Sequence, residues 1–191
     1  MNYGKINKFD IANGEGIRVS LFVSGCRNAC PGCFQRETWD FNYGTPFDEA
    51  AQAEIFSALD EGQIRGLTVL GGEPMEPENQ RGLLPLLLRV REKYPNKNIW
   101  LYTGNTYEEL LGDTSKHIDI TERLLSLVDI LVDGRFEADK YRLGLRFRGS
   151  ENQRIIDMNK TREEGRIVLW DGMTLDKSFN GGKNENQCKN T

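Results

Sequence analysis

The stretch FVSGCRNACPGCFQ, residues 22–35, places Cys26, Cys30 and Cys33 within eight residues and holds three of the chain's four cysteines. Three thiols in a C-x3-C-x2-C loop can converge on one inorganic centre. Gly25, Pro31 and Gly32 among them mark a loop, not core packing. Two chemistries fit the spacing. A structural zinc site closes with four ligands, and the fourth would have to be Cys188 or His117, the single histidine. Neither has a second ligand beside it in the usual paired way. An iron–sulfur cluster also takes cysteine thiolates, four of them for a 4Fe–4S cube. With three, one iron is left open, and an open coordination position is where a metal does chemistry.

A second group is Gly71-Gly72-Glu73-Pro74. Alone it reads as a turn. The glycines also let backbone approach a ligand closely, and the Glu73 carboxylate suits a cationic ammonium.

Both groups need elements to hold them. RVSLFVSG (18–25) reads as a buried strand, with the cysteine loop after it. The pattern predicts a helix over 45–62, opening at Thr45-Pro46. Residues 66–74, GLTVLGGEP, are a strand ending in a glycine pair. Residues 78–95 are helical, with Pro85 starting or kinking the helix. NIWLYTG (98–104) is a strand, and 121–134 give a short helix and then a strand at 130–132. Strand, loop and helix in repetition predict parallel βαβ units. Each chemical group falls at the C-terminal end of a strand, the edge that carries ligands in parallel α/β folds and barrels. There are too few units for a closed barrel. The expectation is an α/β fold built as a partial, open TIM-like β/α barrel.

A chain of 191 residues is long enough for one domain with a substantial core. That domain is expected over 1–179, and the polar Gly/Asn-rich stretch 180–191 is expected to be a disordered tail. Hydrophobic residues at 38% and charged residues at 28% fit a soluble globular protein. The formal charge of -4 gives no reason to expect nucleic acid as a partner. No apolar run reaches the length of a membrane span, and MNYGKINKFD lacks the basic-then-apolar pattern of a signal peptide. The expectation is a cytoplasmic protein. There thiols stay reduced, so clustered cysteines point to metal or catalysis before disulfides.

C-x3-C-x2-C after one strand and GGEP after the next resemble the radical S-adenosylmethionine superfamily. The resemblance implies a barrel of that family's type and a 4Fe–4S cluster held by Cys26, Cys30 and Cys33. In that family S-adenosylmethionine chelates the open iron through its amino and carboxylate groups. The reduced cluster passes one electron to the sulfonium, and the C5′–S bond breaks to give methionine and a 5′-deoxyadenosyl radical. Gly71, Gly72, Glu73 and Pro74 match the motif that binds the methionine amino group. Gly32, Cys33 and Phe34 stand where the family sets an aromatic side chain against the adenine. Gly32, the residue before Cys33, is not aromatic, which leaves Phe34 or the backbone of 32–34 for that role. Tyr102, Thr103 and Asp133 are candidates for the ribose, carboxylate or partner side, with ordinary turn chemistry an equal alternative.

The segments NGEGIRVSLFVSGC (13–26), CPGC, GGEP, WLYTG, LVDGRFE and RFRGSENQRIID (146–157) resemble the activating proteins of anaerobic ribonucleoside-triphosphate reductases. The likeness spans residues 1–160; Phe34-Gln35 departs from the more familiar Tyr-Asn or His-Asn. It implies hydrogen abstraction from a glycine Cα near the C-terminus of the large reductase subunit, with an electron donor such as flavodoxin. Glycine suits the task, because its Cα radical is delocalised between two amides. Arg148, Asn152, Gln153 and Arg154 are expected to dock the partner's glycine loop; the competing expectation is that they cap a final strand. An activase of the formate-lyase type is one alternative, although such chains are usually longer. A non-enzymatic zinc module using Cys26, Cys30, Cys33 and Cys188 is another.

Overall fold

Short apolar runs separated by glycine-rich turns build one sheet. Its strands are β1 (Asn2–Asp10), β2 (Ile17–Val23), β3 (Thr45–Pro46), β4 (Ile64–Gly71), β5 (Asn98–Tyr102), β6 (Ile130–Asp133) and β7 (Arg154–Asp157). A computed structural model of the chain describes residues 1–173. The stretch 180–191, Cys188 and the last residues of the expected domain lie outside the described residues. The strands run in the order β3-β1-β2-β4-β5-β6-β7. The central four, β2, β4, β5 and β6, are parallel, as the alternation predicts. Antiparallel neighbours flank them: β1 on β2, β3 on β1, and β7 on β6.

The helices are α1 (Glu49–Leu59), α2 (Pro77–Lys93), α3 (Tyr107–Leu111), α4 (Thr121–Ser126) and α5 (Met158–Glu164). Residues of all five join one core cluster with a single face of the sheet. Val19, Leu21, Val69, Leu101 and Leu131 meet Ile55, Leu87, Leu110, Leu124 and Met158 there. Successive strand residues point to opposite faces, so the other face carries Trp100, Ile130, Val132 and Ile155, with Phe147 and Trp170 against them. Arg18 is buried on that face too. It donates to Thr68 Oγ1 at 2.6 Å and Asn98 Oδ1 at 2.7 Å, and lies 5.3 Å from the Trp100 ring. The architecture is thus mixed α/β with an open seven-stranded sheet; it does not close into a barrel.

Two local readings change. Thr45-Pro46 does not open a helix. Thr45 and Pro46 pair with Tyr3 and Asn2 at the sheet's edge, where a proline's missing N–H is tolerated. The helix starts later, with the Asp48 carboxylate accepting the Ala51 N–H at 2.9 Å. Pro85 does not start α2 either, because Pro77 holds the first-turn position and Pro85 sits inside the helix. Pro85 is on the exposed side, where water can serve the carbonyl that its ring leaves without a donor.

Candidate functional site

Four strand ends meet at one edge of the sheet. The loops after β2, β4, β5 and β6 enclose a cavity of about 210 Å³, and its walls include Cys26, Cys30, Cys33, Gly71, Gly72, Glu73 and Tyr102. The expectation that the thiols and the Gly-Gly-Glu group face the same space therefore has a geometric counterpart.

The cysteine loop is fastened at its roots. Gly25 donates its N–H to Thr38 O at 2.8 Å, and Cys26 donates to Trp39 O at 3.1 Å. Ala29 holds a left-handed φ of 47°, a conformation that costs a non-glycine residue and persists only where its surroundings enforce it. Outside the cavity, Arg27 is anchored to the buried Glu76. Its N–H reaches Oε1 at 2.8 Å and its guanidinium reaches Oε2 at 2.6 Å. Lys116 pairs with the same carboxylate. Burial pushes the Cys26 thiol up to about 11 and raises Cys30 as well. Metal binding must then displace protons from these thiols.

All three thiols are free and half-buried. They are not drawn to a single point: among the described residues no group of three or more His, Cys, Asp or Glu side chains is placed to hold one metal ion. A 4Fe–4S cube binds each thiolate to a different iron, so its ligands stand around a volume. Thiols spread around one cavity fit that donor pattern. Among the described residues the zinc alternative finds no fourth ligand. His117 Nδ1 bonds Leu110 O at 2.8 Å and His117 does not line the cavity, and Cys188 lies outside the described residues.

The glycine pair turns out to serve the cysteine loop first. Gly71 has a φ of +110°, and a Cβ there would meet Val23 O at 2.7 Å. A Cβ on Gly72 would stand 2.7 Å from Gly25 O and 2.9 Å from Thr38 O. Gly72 N–H donates to Val23 O at 2.7 Å, and Glu73 N–H to Gly25 O at 2.8 Å. The absent side chains let the two loops lie backbone against backbone. Pro74 is buried behind them and does not line the cavity.

Glu73 is almost wholly buried at 1% exposure. Its Oε2 accepts from Asn28 Nδ2 at 2.7 Å, Gly104 N–H at 2.8 Å and Asn105 Nδ2 at 3.1 Å, and its Oε1 accepts from Met75 N–H at 2.9 Å. Burial pushes this carboxyl above its ordinary range, against the opposing pull of those donors. One carboxylate thus ties together the loops after β2, β4 and β5.

The remaining candidates divide. Phe34 lines the mouth and is 70% exposed; Gly32 is exposed in the same loop. Tyr102 lines the cavity, while its hydroxyl donates to Phe147 O at 2.9 Å. Thr103 lines it too. Asp133 does not. It is fully buried, takes Arg154 Nε at 2.9 Å and Nη2 at 2.5 Å, and accepts the Tyr107 N–H at 2.7 Å. Arg154 also grips Glu108. Gln153 lines the cavity and staples its wall: Oε1 accepts Gly149 N–H at 2.7 Å and Nε2 donates to Gly134 O at 2.9 Å. Arg148 donates to Gln153 O at 2.7 Å and Asn152 to Arg135 O at 2.8 Å. These four side chains are engaged within the chain, on the segment that leads into β7.

Sequence reasoning passed over Asn28, Trp39, Asn105 and Phe136. Asn28 could have been found, since it lies inside the C-x3-C loop. Trp39, whose indole N–H is buried without a partner, and Asn105 carry no local signal; only the fold brings them to the site.

A family model described as "4Fe-4S single cluster domain" matches residues 12–156, which places the chain among single-cluster iron–sulfur proteins. The relatives it resembles are more specific. The anaerobic ribonucleoside-triphosphate reductase-activating protein of Pasteurella multocida is 45% identical over 157 residues, covering 81% of this chain and 96% of its own. That of Escherichia coli K12 is 39% identical over 155 residues, covering 80% and 96%. That of Enterobacteria phage T4 is 38% identical over 155 residues, covering 81% and 93%. The chain belongs to the family of anaerobic ribonucleoside-triphosphate reductase-activating proteins.

Proposed function

We propose that this chain holds a 4Fe–4S cluster on Cys26, Cys30 and Cys33, binds S-adenosylmethionine beside it, and generates a glycyl radical on the large subunit of an anaerobic ribonucleoside-triphosphate reductase. One observation carries the reading: three thiols of a single loop and the Gly71-Gly72-Glu73 turn line one cavity, in a chain of this family. When bound, the reduced cluster would supply the electron for reductive cleavage of S-adenosylmethionine, the chemistry that generates a radical able to abstract the glycine hydrogen.

The protein's own residues position and enclose. Glu73 fixes the cysteine loop against the loop after β5 and brings negative charge to the cavity wall, where an ammonium group is matched by a carboxylate. Phe34, Tyr102 and the backbone of 32–34 supply apolar and aromatic walls for the nucleoside. Asp133, held by Arg154, supports the wall at Gly134 and does not touch the cofactor directly. The segment from Arg148 to Arg154 frames the cavity's rim, so the partner's loop docks on a surface this segment shapes. Excluding water matters because a reactive intermediate must not meet solvent, and an open rim lets the partner complete the enclosure.

Helices on a single face of a parallel central sheet support reading the fold as an open β/α half-barrel. One sheet from β1 to β7 supports a single domain over 1–179. Among the described residues no helix is long and apolar enough to cross a membrane. The proposal places the protein in the cytoplasm, served by a small reductant such as flavodoxin. Anaerobic reconstitution tests the proposal. A brown protein with ~4 Fe per chain that releases 5′-deoxyadenosine from S-adenosylmethionine is expected; a colourless protein holding one zinc is the opposing result.

A further inference from the structure

The cavity opens onto an apolar surface. Phe34 lies 4.9 Å from the Phe136 ring and 5.9 Å from the Tyr141 ring. The residue after the last cysteine is thereby joined to the segment after β6. Tyr141 is 44% exposed, and Leu143, two residues on, is 89% exposed. Phe34 and Phe136 also line the cavity with the three cysteines, so aromatic contacts join the cavity wall to the exposed Tyr141. Gathered large side chains left in water mark an interaction site.

The segment that carries Phe136, Tyr141 and Leu143 is opposite in charge to the chain as a whole. Residues 135–148 hold Arg135, Lys140, Arg142, Arg146 and Arg148 against Glu137 and Asp139, five cations to two anions, or +3, in a chain of net charge -4. Lys140 pairs with Glu137 at 2.5 Å and Arg142 with Glu151 at 3.5 Å. Arg135 and Arg146 have no carboxylate partner among the described residues.

We propose that Phe34, Phe136, Tyr141 and Leu143, with the cation Arg146 three residues after Leu143 in the same segment, form the docking surface for the reductase's glycine-bearing segment, which carries apolar residues flanked by acidic ones. The inference rests on the function proposed above. The position favours the reductase over an electron donor. A hydrogen atom moves only between groups in contact, so the glycine must enter this mouth, whereas an electron can arrive through another wall. The charge complements an acidic partner and speeds its encounter.

The experiment compares Leu143→Asp and Arg146→Glu with the unaltered protein, each anaerobically reconstituted. Four quantities are read: affinity for the cognate reductase, glycyl-radical yield, dithionite-driven cleavage of S-adenosylmethionine, and melting temperature. Leu143→Asp is expected to weaken the complex at least ~10-fold, the scale of losing one apolar anchor, and to lower radical yield. Cofactor cleavage and melting temperature stay unchanged. Arg146→Glu is expected to weaken binding and flatten its salt dependence. Unaltered affinity and yield in both variants would overturn the docking surface and leave the proposed function standing. A loss confined to electron delivery from a protein donor, with reductase affinity intact, would overturn it in favour of the donor. If the unaltered protein makes no radical on the reductase, the functional reading fails and takes this inference with it.

Discussion

Gly72→Ala is expected to damage the cluster site without removing any ligand. The added Cβ would stand 2.7 Å from Gly25 O and 2.9 Å from Thr38 O. Neither neighbour can turn aside as a side chain would, because both are backbone carbonyls already in use. Gly25 O accepts the Glu73 N–H at 2.8 Å, and Thr38 O accepts the Gly25 N–H at 2.8 Å. The cysteine loop must therefore move. Overpacking of this kind costs about 1–3 kcal/mol. For a chain of this size each kcal/mol lowers the melting temperature by about 2–4 °C, so a fall of about 2–12 °C is expected. Iron bound per chain after reconstitution falls with it, since Cys26 adjoins the displaced carbonyl. Gly62→Ala is the control, because a Cβ there meets nothing within 4 Å. Thermal unfolding and iron assay on both variants decide the matter. Gly72→Ala with the melting temperature and iron content of the unaltered protein would refute the packing argument.

Alanine at Cys26, Cys30 or Cys33 is expected to abolish the cluster's visible absorbance, and Cys188→Ala to leave it intact; the opposite pattern would reassign the ligands. Glu73→Gln places an amide N–H against the donors of Asn28, Gly104 and Asn105, so a loss of about 1–3 kcal/mol in urea unfolding is expected, together with weaker S-adenosylmethionine binding by calorimetry. Arg154→Ala strips the buried Asp133 carboxylate of its guanidinium, and breaking a buried pair costs about 3–5 kcal/mol. Melting temperature, cofactor cleavage and radical yield should all fall together, and a loss of radical yield alone would point to docking instead. Arg154 holds the Glu108 carboxyl down at about 2. A carboxyl depressed in the folded state contributes stability above the ordinary carboxylate range, lost as pH falls toward its folded value. Glu108 is 59% exposed, so Glu108→Gln costs only about 0.5–1 kcal/mol at neutral pH, and the gap in urea midpoint should narrow on acidification.

The parallel centre of the fold was legible because β2, β4, β5 and β6 are buried on both faces and read as continuous apolar runs. β1 was not, since its residues alternate only weakly between partly buried and exposed; its stability comes from pairing with β2, which no local pattern announces. β7 was legible only as an alternative, the final strand that the 148–154 segment would cap, and α5 not at all, for a related reason. Arg154 and Asp157 look like solvated charges, but Arg154 closes on Asp133, 21 residues earlier. At the site, types and spacing were enough to gather the thiols and Glu73. What they did not convey was how the groups are used. The glycines read as room for a ligand and are room for the neighbouring backbone. For Asp133 and Arg148 to Arg154 the sequence left a binding role and a structural one side by side, and these groups are bound to one another or to nearby carbonyls. A single sequence shows which groups can bond, and only the tertiary contacts show which already do.

Electron paramagnetic resonance of the anaerobic mixture tests the central claim most directly. The reconstituted protein, S-adenosylmethionine, a reductant and the cognate reductase are combined, and the spectrum is recorded with each component omitted in turn. The expected result is a glycyl-radical doublet that needs all four, disappears with Cys30→Ala, and loses its splitting when the reductase carries α-deuterated glycine. A protein that binds its cluster and cleaves S-adenosylmethionine, yet leaves no glycyl signal on the reductase, would contradict the account.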